Sequence, residues 1–185
     1  EASKFFSNKD YSKISYHHLA SMIPNSAPAQ ISIKLGTKGI STSASSACTS
    51  SLIAIKQSYL EIASGFHDMM VTGGVDAPLE DVWHLGFSKL ALAKSDAEYG
   101  CNPFSRNRKG TVSAEGAGII FLEERENALK RGADIKAEIV GFSSTSDSFH
   151  NLAMEPSAEA PIRAMTSALK MANLGPSDID WIGSH

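Results

Sequence analysis

Length, composition and charge narrow the class of protein first. The chain of 185 residues is 42% hydrophobic, which is enough to bury one core. Its formal net charge of -3 at pH 7 offers no electrostatic case for binding nucleic acid. No apolar run approaches the ~20 residues that span a bilayer, and no basic leader precedes a short apolar core. We therefore expect a soluble, cytoplasmic protein.

The cysteines and histidines do not follow the spacing of a disulfide scaffold or a metal site. Cys48 and Cys101 are too far apart in sequence for a metal knuckle, and two cysteines do not make a disulfide-rich domain. The histidines include no HExxH pair and no zinc-type cluster with cysteine. The sequence predicts reduced cysteines and no metal.

The segment before residue 39 gives an ambiguous pattern. Ala27, Ile31 and Leu35 lie four residues apart, as on one face of a helix. Ile31, Ile33 and Leu35 alternate, as on one face of a strand. The pattern leaves helix and strand open, and the glycines of residues 36–39 predict a turn.

The stretch from Gly39 to Gly65 places a thiol where small residues meet an amphipathic helix. Residues 40–47 are compact enough for a closely packed strand. Apolar residues recur at helical spacing after Cys48, and Gly65 predicts the end of the helix. A thiol on the first turn of a helix faces unpaired N–H groups and the positive end of the helix dipole. Both favour the nucleophilic thiolate.

Cys48 also has a second interpretation. A free cysteine often packs as a small buried apolar side chain, and a serine-rich run is often a linker. The uninterrupted helix argues against a linker, and the position at its start argues against an inert thiol. On the residues alone, a reactive and a structural cysteine both stay open.

The rest of the chain predicts strands that alternate with helices. Buried strands are predicted at 69–72 and 116–122, another strand is predicted at 137–142, and a strand-like apolar segment ends the chain. A basic loop is predicted at 102–110, a charged helix at 123–131 and an amphipathic helix at 159–173. Strand, helix and strand in succession predict a parallel sheet covered by helices. A chain that lacks an initial methionine and stops after a strand-like segment is expected to be a piece of a larger protein.

Four motifs then give the sequence a family resemblance. They are SACTSS at 46–51, NPFSRNRKGTVSAEGAGIIFLEE at 102–124, AEIVGFSSTSDSFH at 137–150 and IDWIGSH at 179–185. In this order they resemble the beta-ketoacyl synthase family of condensing enzymes, particularly its acyl-carrier-protein-dependent type II branch. The resemblance implies an α/β fold of the thiolase-like, layered α/β/α kind, present in part. Residues 1–132 would belong to its N-terminal half and residues 133–185 would begin its C-terminal half.

The resemblance assigns roles to individual residues. Cys48 matches the nucleophile that holds the acyl chain as a thioester. His185 matches the first catalytic histidine, which helps to decarboxylate malonyl-carrier and stabilises the enolate. Phe87 matches an aromatic residue of the acyl pocket, and a core role is its alternative. Glu115 matches a structural acid of the (E/D)GAG motif, and Lys13 falls where basic residues face the acidic carrier protein.

The resemblance also implies the reaction and the partners. The reaction is a decarboxylative Claisen condensation of malonyl-carrier with the acyl thioester on Cys48, in fatty acid or polyketide biosynthesis. It needs no metal or nucleotide cofactor, because the substrates are carried on the phosphopantetheine of acyl carrier protein. A homodimer, or a heterodimer with a ketosynthase-like subunit, would pair through residues 40–47 at a sheet edge. A non-elongating acyl-transfer or carrier-docking module is the alternative.

Two positions depart from the family pattern. Ile40 stands where the family usually has proline and Thr111 where it usually has phenylalanine, so we expect less rigid turns there. In the family, a lysine, a second histidine and part of the oxyanion hole follow the position of His185. We therefore expect these residues to form an incomplete active site.

Overall fold

The structure, a computed structural model, describes residues 17–79, 81–90 and 101–185. It divides into two compact units, the first ending at Glu123 and the second running from Glu124 to His185. The predicted boundary after residue 132 separates the two halves of a family fold, and it stays a prediction.

The first unit combines helices with a two-stranded sheet. Its helices are α1 (His17–Met22), α2 (Ser26–Leu35), α3 (Ser50–Ala63) and α4 (Asp81–Leu90), and its strands are β1 (Met69–Asp76) and β2 (Gly116–Glu123). A short 3₁₀ turn, Ala47–Thr49, directly precedes α3. The second unit holds α5 (Arg125–Lys130), α6 (Glu159–Ala172) and a 3₁₀ turn, Pro176–Asp178.

Helix α2 resolves the ambiguous pattern before residue 39. The helical spacing describes these residues correctly, and the alternation of Ile31, Ile33 and Leu35 does not indicate a strand. Gly36 ends the helix in the left-handed region, with φ of 69°, and its N–H donates to the carbonyl of Ser32. Glycine adopts this conformation without steric strain, which is why it commonly follows the last helical residue.

Helix α3 packs on β1, and this contact forms the centre of the first unit. The helix ends as predicted, because Gly65 has φ of 74° and donates its N–H to the Ile62 carbonyl at 2.9 Å. Small side chains are buried on both elements, Ser58 on α3 and Thr72 on β1. Small residues at a helix–sheet contact let the two backbones approach closely.

The two strands of the sheet are antiparallel. Met69 faces Glu123 and Asp76 faces Gly116 across the ladder. The predicted strands at 69–72 and 116–122 are therefore present, each longer than expected. The prediction that both are buried is wrong for β2, whose residues 116–121 are exposed, whereas β1 is half-buried around a buried Thr72. The parallel sheet expected from the order of elements is also wrong for this pair, because an apolar run carries no information about the direction of its neighbour.

Three further predicted strands are not strands in this structure. Residues 40–46, 137–142 and the apolar segment at the end of the chain are irregular, and Ala47 begins the 3₁₀ turn before α3. A strand is defined by hydrogen bonds to a neighbouring strand, and the described part of the chain forms a sheet only from β1 and β2. The sequence pattern identified apolar segments correctly, but it could not show that a ladder partner is present.

The second unit is held together by hydrogen bonds to helix ends and by close backbone contact. Thr145 Oγ1 donates to the carbonyl of Ala160 at 2.8 Å, and Arg163 Nη2 donates to the carbonyl of Ser146 at 3.1 Å. A Cβ at Gly141 would overlap the carbonyl oxygen of Ala168. The loop before α6 and the segment around Gly141 are thus both fastened to α6.

Glu124 caps helix α5. Its carboxylate accepts the N–H of Asn127 at 2.8 Å. The backbone N–H groups of Glu126 and Asn127 hold the pKa of Glu124 below its ordinary value of 4.5. A carboxylate that accepts N–H groups at a helix start satisfies donors that the helix itself leaves unpaired.

We expect Gly73→Ala to destabilise the full-length protein severely. Gly73 has φ of 151°, and a Cβ there would overlap the carbonyl oxygen of Gly118. Urea unfolding should show a loss of about 3 kcal/mol or more, since steric strain and separation of the two strands add. Gly118→Ala is the matched control, because nothing lies within 4 Å of a Cβ at Gly118. Equal losses in the two variants would contradict this account.

The cap at Glu124 predicts a dependence of stability on pH. Because the folded protein depresses the pKa of Glu124, the cap stabilises the fold above the ordinary value of 4.5 and is lost as the pH falls through the lower, folded value. Between neutral and acid pH, urea unfolding of Glu124→Gln should therefore change less than that of the wild type. Glu126→Gln, at a residue whose side chain does not form this cap, is the control. Identical pH profiles for wild type and Glu124→Gln would refute the assignment.

Candidate active site around Cys48

Cys48 lies in the turn that joins an irregular segment to helix α3. It is the middle residue of the 3₁₀ turn Ala47–Thr49, and Thr49 is the N-cap of α3. The predicted position at a helix start is confirmed, although the thiol precedes the helix and does not lie on its first turn. Cys48 is exposed, so the alternative of a buried structural thiol does not describe this structure.

The backbone of this turn is strained. Ala47 has φ of 47°, in the left-handed region. A residue with a Cβ is less stable there than in the right-handed region by roughly 1–2 kcal/mol. A strained residue persists only where its surroundings hold it. The residue before the thiol therefore needs contacts that fix its conformation.

Hydroxyl groups on both sides of Cys48 supply these contacts. Ser50 Oγ accepts the N–H of Ser46 at 2.8 Å and donates to the carbonyl of Ala47 at 2.7 Å. Thr49 Oγ1 donates to the carbonyl of Ser46 at 2.8 Å and lies 3.1 Å from Ser46 Oγ. These bonds close the turn, because they connect Thr49 and Ser50, on its helical side, to Ser46, the residue before Ala47.

The N-cap position leaves the helix start open to negative charge. Thr49 makes no side-chain hydrogen bond to the N–H groups of α3, because its hydroxyl is directed back to Ser46. N–H groups at a helix start and the helix dipole both favour a negative charge nearby. An exposed thiol beside such a helix start is suited to nucleophilic catalysis through a thioester.

Two glycines fix the segment before Cys48 and the start of α3. A Cβ at Gly39 would lie 3.1 Å from the imidazole of His67, beyond the C-terminal end of α3. A Cβ at Gly74, on β1, would lie 2.7 Å from the Cβ of Ser51 in the first turn of α3. Residues 40–47 thus run from one end of α3 to the other, a length of about 21 Å for a helix of this size. Eight residues cover that length at roughly 2.6 Å per residue, which is more than the rise of a helix and less than that of a fully extended chain.

The remaining predicted site residues lie in different places. Phe87 is on α4, is 40% exposed and stacks on Trp83, with ring centroids 6.0 Å apart. His185 is exposed and belongs to the second unit, whereas Cys48 and Phe87 belong to the first. Lys13 lies outside the described residues. Glu115 accepts the backbone N–H of Leu79 at 3.3 Å, which supports a structural role.

Sequence reasoning missed the residues that hold the turn. The left-handed Ala47 carries no sequence signal, since alanine rarely adopts that conformation. The spacing of Ser46 and Ser50 was available as a signal for a side-chain bond across one turn, but serine is too frequent here to single out a pair. Trp83 was also missed, although it lies four residues before Phe87, the spacing at which helical side chains meet.

The described ranges hold neither a metal-binding cluster nor a membrane-spanning helix. No group of three or more histidine, cysteine, aspartate or glutamate side chains there is arranged to hold a metal ion. None of the helices in these ranges has the length and apolar character needed to cross a bilayer.

Solved structures define the class of protein. A beta-ketoacyl synthase from Burkholderia phymatum STM815 superposes with a TM-score of 0.88 at 31% identity, over 99% of this chain and 45% of that one. A type II polyketide synthase acyl-carrier protein in complex with its ketosynthase bound to the hexaketide gives a TM-score of 0.84 at 30% identity. That match covers 92% of this chain and 43% of the other. The chain has part of the thiolase-like α/β fold of the ketosynthases.

Family models and curated relatives agree with the structures. The N-terminal domain model of beta-ketoacyl synthase matches residues 2–128, and the C-terminal domain model matches residues 136–185. The chain belongs to the beta-ketoacyl synthase family. It is 36% identical over 186 aligned residues to 3-oxoacyl-[acyl-carrier-protein] synthase 2 of Staphylococcus aureus, covering 100% of this chain and 46% of the relative. The chain therefore spans less than half the length of this relative.

We expect Ala47→Gly to be neutral or stabilising in the full-length protein. Glycine removes the strain of the left-handed conformation, and this gain of about 1–2 kcal/mol exceeds the added entropy of the unfolded chain, about 0.4–1 kcal/mol. Ala54→Gly, in the middle of α3, is the control and should lose about 1 kcal/mol. Urea unfolding measures both. A loss at Ala47 as large as the loss at Ala54 would contradict the strained turn.

Proposed function

We propose that the whole protein is a beta-ketoacyl synthase that carries an acyl group on Cys48 and extends it with a malonyl unit. The reaction belongs to fatty acid or polyketide biosynthesis. The observation that supports this most directly is an exposed thiol, held by a closed turn at a helix start, in a chain matched by both domain models of the family.

The first step of the proposed reaction is acyl transfer. The Cys48 thiolate attacks the carbonyl carbon of an acyl thioester on a carrier protein, and a new C–S bond forms. The bond to the carrier sulfur breaks, and the carrier leaves as a thiolate that takes up one proton, which balances the proton that Cys48 lost on forming its thiolate. The oxyanion that forms transiently is stabilised by N–H groups, and those at the start of α3 are oriented to favour negative charge.

The second step is decarboxylative condensation. Malonyl-carrier loses carbon dioxide, and the resulting enolate attacks the carbonyl carbon of the Cys48 thioester. The cysteine sulfur leaves, and a 3-ketoacyl group stays on the carrier. We assign His185 to this step because its motif matches the first catalytic histidine of the family. We expect no metal or nucleotide cofactor, since a thiolate, an imidazole and hydrogen-bond donors supply the chemistry.

The proposed partner is an acyl carrier protein. A type II polyketide ketosynthase of similar fold has been solved in complex with its acyl-carrier protein, which supports this choice. Lys13 is proposed to face the carrier, whose surface is acidic. We also propose a cytoplasmic location.

We further propose dimerisation through residues 40–47, with an identical or a ketosynthase-like subunit. Residues 40–47 connect the two ends of α3 and are rich in small side chains, which suits pairing across subunits. A solved ketosynthase/chain length factor, the ishigamide one, has a TM-score of 0.85 with this chain at 26% identity.

Acylation of Cys48 is the decisive measurement. When the full-length protein is mixed with acyl-carrier thioester, the peptide containing Cys48 should gain the mass of the acyl group. Cys48→Ala should abolish this gain, because no other group replaces the nucleophile. Cys101→Ala is the matched control, since Cys101 is also an exposed free thiol, and it should be acylated normally.

Addition of malonyl-carrier separates elongation from acyl transfer alone. The wild type should form the 3-ketoacyl product, and His185→Ala should still acylate Cys48 but condense at least about a hundredfold more slowly. Acylation of the wild type without any condensation would leave acyl transfer as the function. No acylation at all would overturn the proposal in favour of an inactive docking module.

A further inference from the structure

We propose that Ser50 is a positioning residue for Cys48, and that its hydroxyl closes the turn that presents the thiol for acyl transfer. This inference rests on the proposed function, which makes Cys48 the residue that carries the acyl group. It concerns a side chain that contacts neither the thiol nor a substrate.

The Ser50 hydroxyl uses both of its hydrogen-bonding capacities within the turn. It accepts from the N–H of Ser46 at 2.8 Å and donates its proton to the carbonyl of Ala47 at 2.7 Å. These two groups flank the Ala47 residue, which has φ of 47°. One hydroxyl therefore bridges the two sides of the strained residue, and its own rotation is fixed by the two bonds.

The bridge determines where the thiol points. Cys48 follows Ala47 directly, so a change in the Ala47 dihedral angles rotates the Cα–Cβ bond of Cys48. Without the bridge, Ala47 can relax to the negative φ that residues with a Cβ prefer. Attack on a thioester requires the sulfur to approach the carbonyl carbon to about 3–3.5 Å along a defined direction. A rotated thiol reaches that geometry less often.

Ser51 provides a matched comparison on the same turn of helix. The structure places its Cβ against β1, 2.7 Å from the position of a Cβ at Gly74. Replacing Ser51 by alanine keeps that carbon and removes only a hydroxyl that takes no part in the bridge. Replacing Ser50 by threonine keeps the bridging hydroxyl, whereas alanine removes it.

The test uses the full-length protein with the variants Ser50→Ala, Ser50→Thr and Ser51→Ala. The rate of acyl transfer to Cys48 is measured by mass spectrometry, the exchange of the Ser46 amide by hydrogen–deuterium exchange, and global stability by urea unfolding. Ser50→Ala should slow acyl transfer roughly tenfold to a hundredfold. It should also speed exchange at Ser46 by about fivefold, the effect of one lost hydrogen bond. Ser51→Ala should change neither, and Ser50→Thr should recover most of the rate.

The possible results separate a positioning role from a structural one. Equal acyl-transfer rates in Ser50→Ala and Ser51→Ala overturn the proposal. It is also overturned if urea unfolding shows that loss of folded protein fully explains the slower acyl transfer of Ser50→Ala. Unchanged exchange at Ser46 shows that the bridge is absent and overturns it too. If even the wild type is not acylated, the proposed function fails, and the exchange comparison alone then supports or overturns the bridge.

Discussion

The left-handed conformation of Ala47 is the constraint on which the candidate site depends. It lies where the chain, having come from the C-terminal end of α3, reverses direction and enters the helix. A residue with a Cβ resists this conformation. The exposed thiol of Cys48 follows this residue immediately, in the turn that leads into α3.

The unusual composition around Cys48 follows from this reversal. The hydroxyl groups of Thr49 and Ser50 make hydrogen bonds to the backbone of Ser46 and Ala47. Bulky side chains would fill the same space without satisfying the backbone polar groups of a tight turn. Serine and threonine are weak helix formers for the same reason, because their hydroxyls compete for backbone groups. The serine-rich run is thus a folded turn, and the linker interpretation is wrong.

The sheet imposes a complementary requirement for glycine. Gly73 and Gly74 lie where β1 meets β2 on one side and the start of α3 on the other. A Cβ at Gly74 would push against Ser51, and the start of α3 would have to move. Two features therefore set the position of the thiol. One is the closed turn before α3, and the other is strand β1, which lies against the first turn of α3. Both depend on the absence of side-chain volume.

The sequence allowed helices α3 and α6 and the place of Cys48 to be predicted, left α2 open between helix and strand, and gave no prediction of α1. Helical periodicity is a local property, so α3 and α6 were found close to their observed ends. Strand pairing is a property of two segments, so the antiparallel partner of β1 and the missing ladder at 40–47 could not be predicted. Among many hydroxyls, the sequence does not show which one bridges a turn. The resemblance assigned roles to Cys48 and His185, but it did not show how their side chains are positioned.

The proposed reaction draws on two residues that lie in different units. Cys48, the helix start and the closed turn all belong to the first unit, and His185 belongs to the second. Forming the thioester needs the sulfur, a nearby positive helix end and a correctly directed thiol, and all of these are local to one turn. Decarboxylation needs groups that stabilise an enolate, and these come from elsewhere in the chain. Changes in the turn should therefore act first on the formation of the thioester, and changes at His185 on the condensation that follows it.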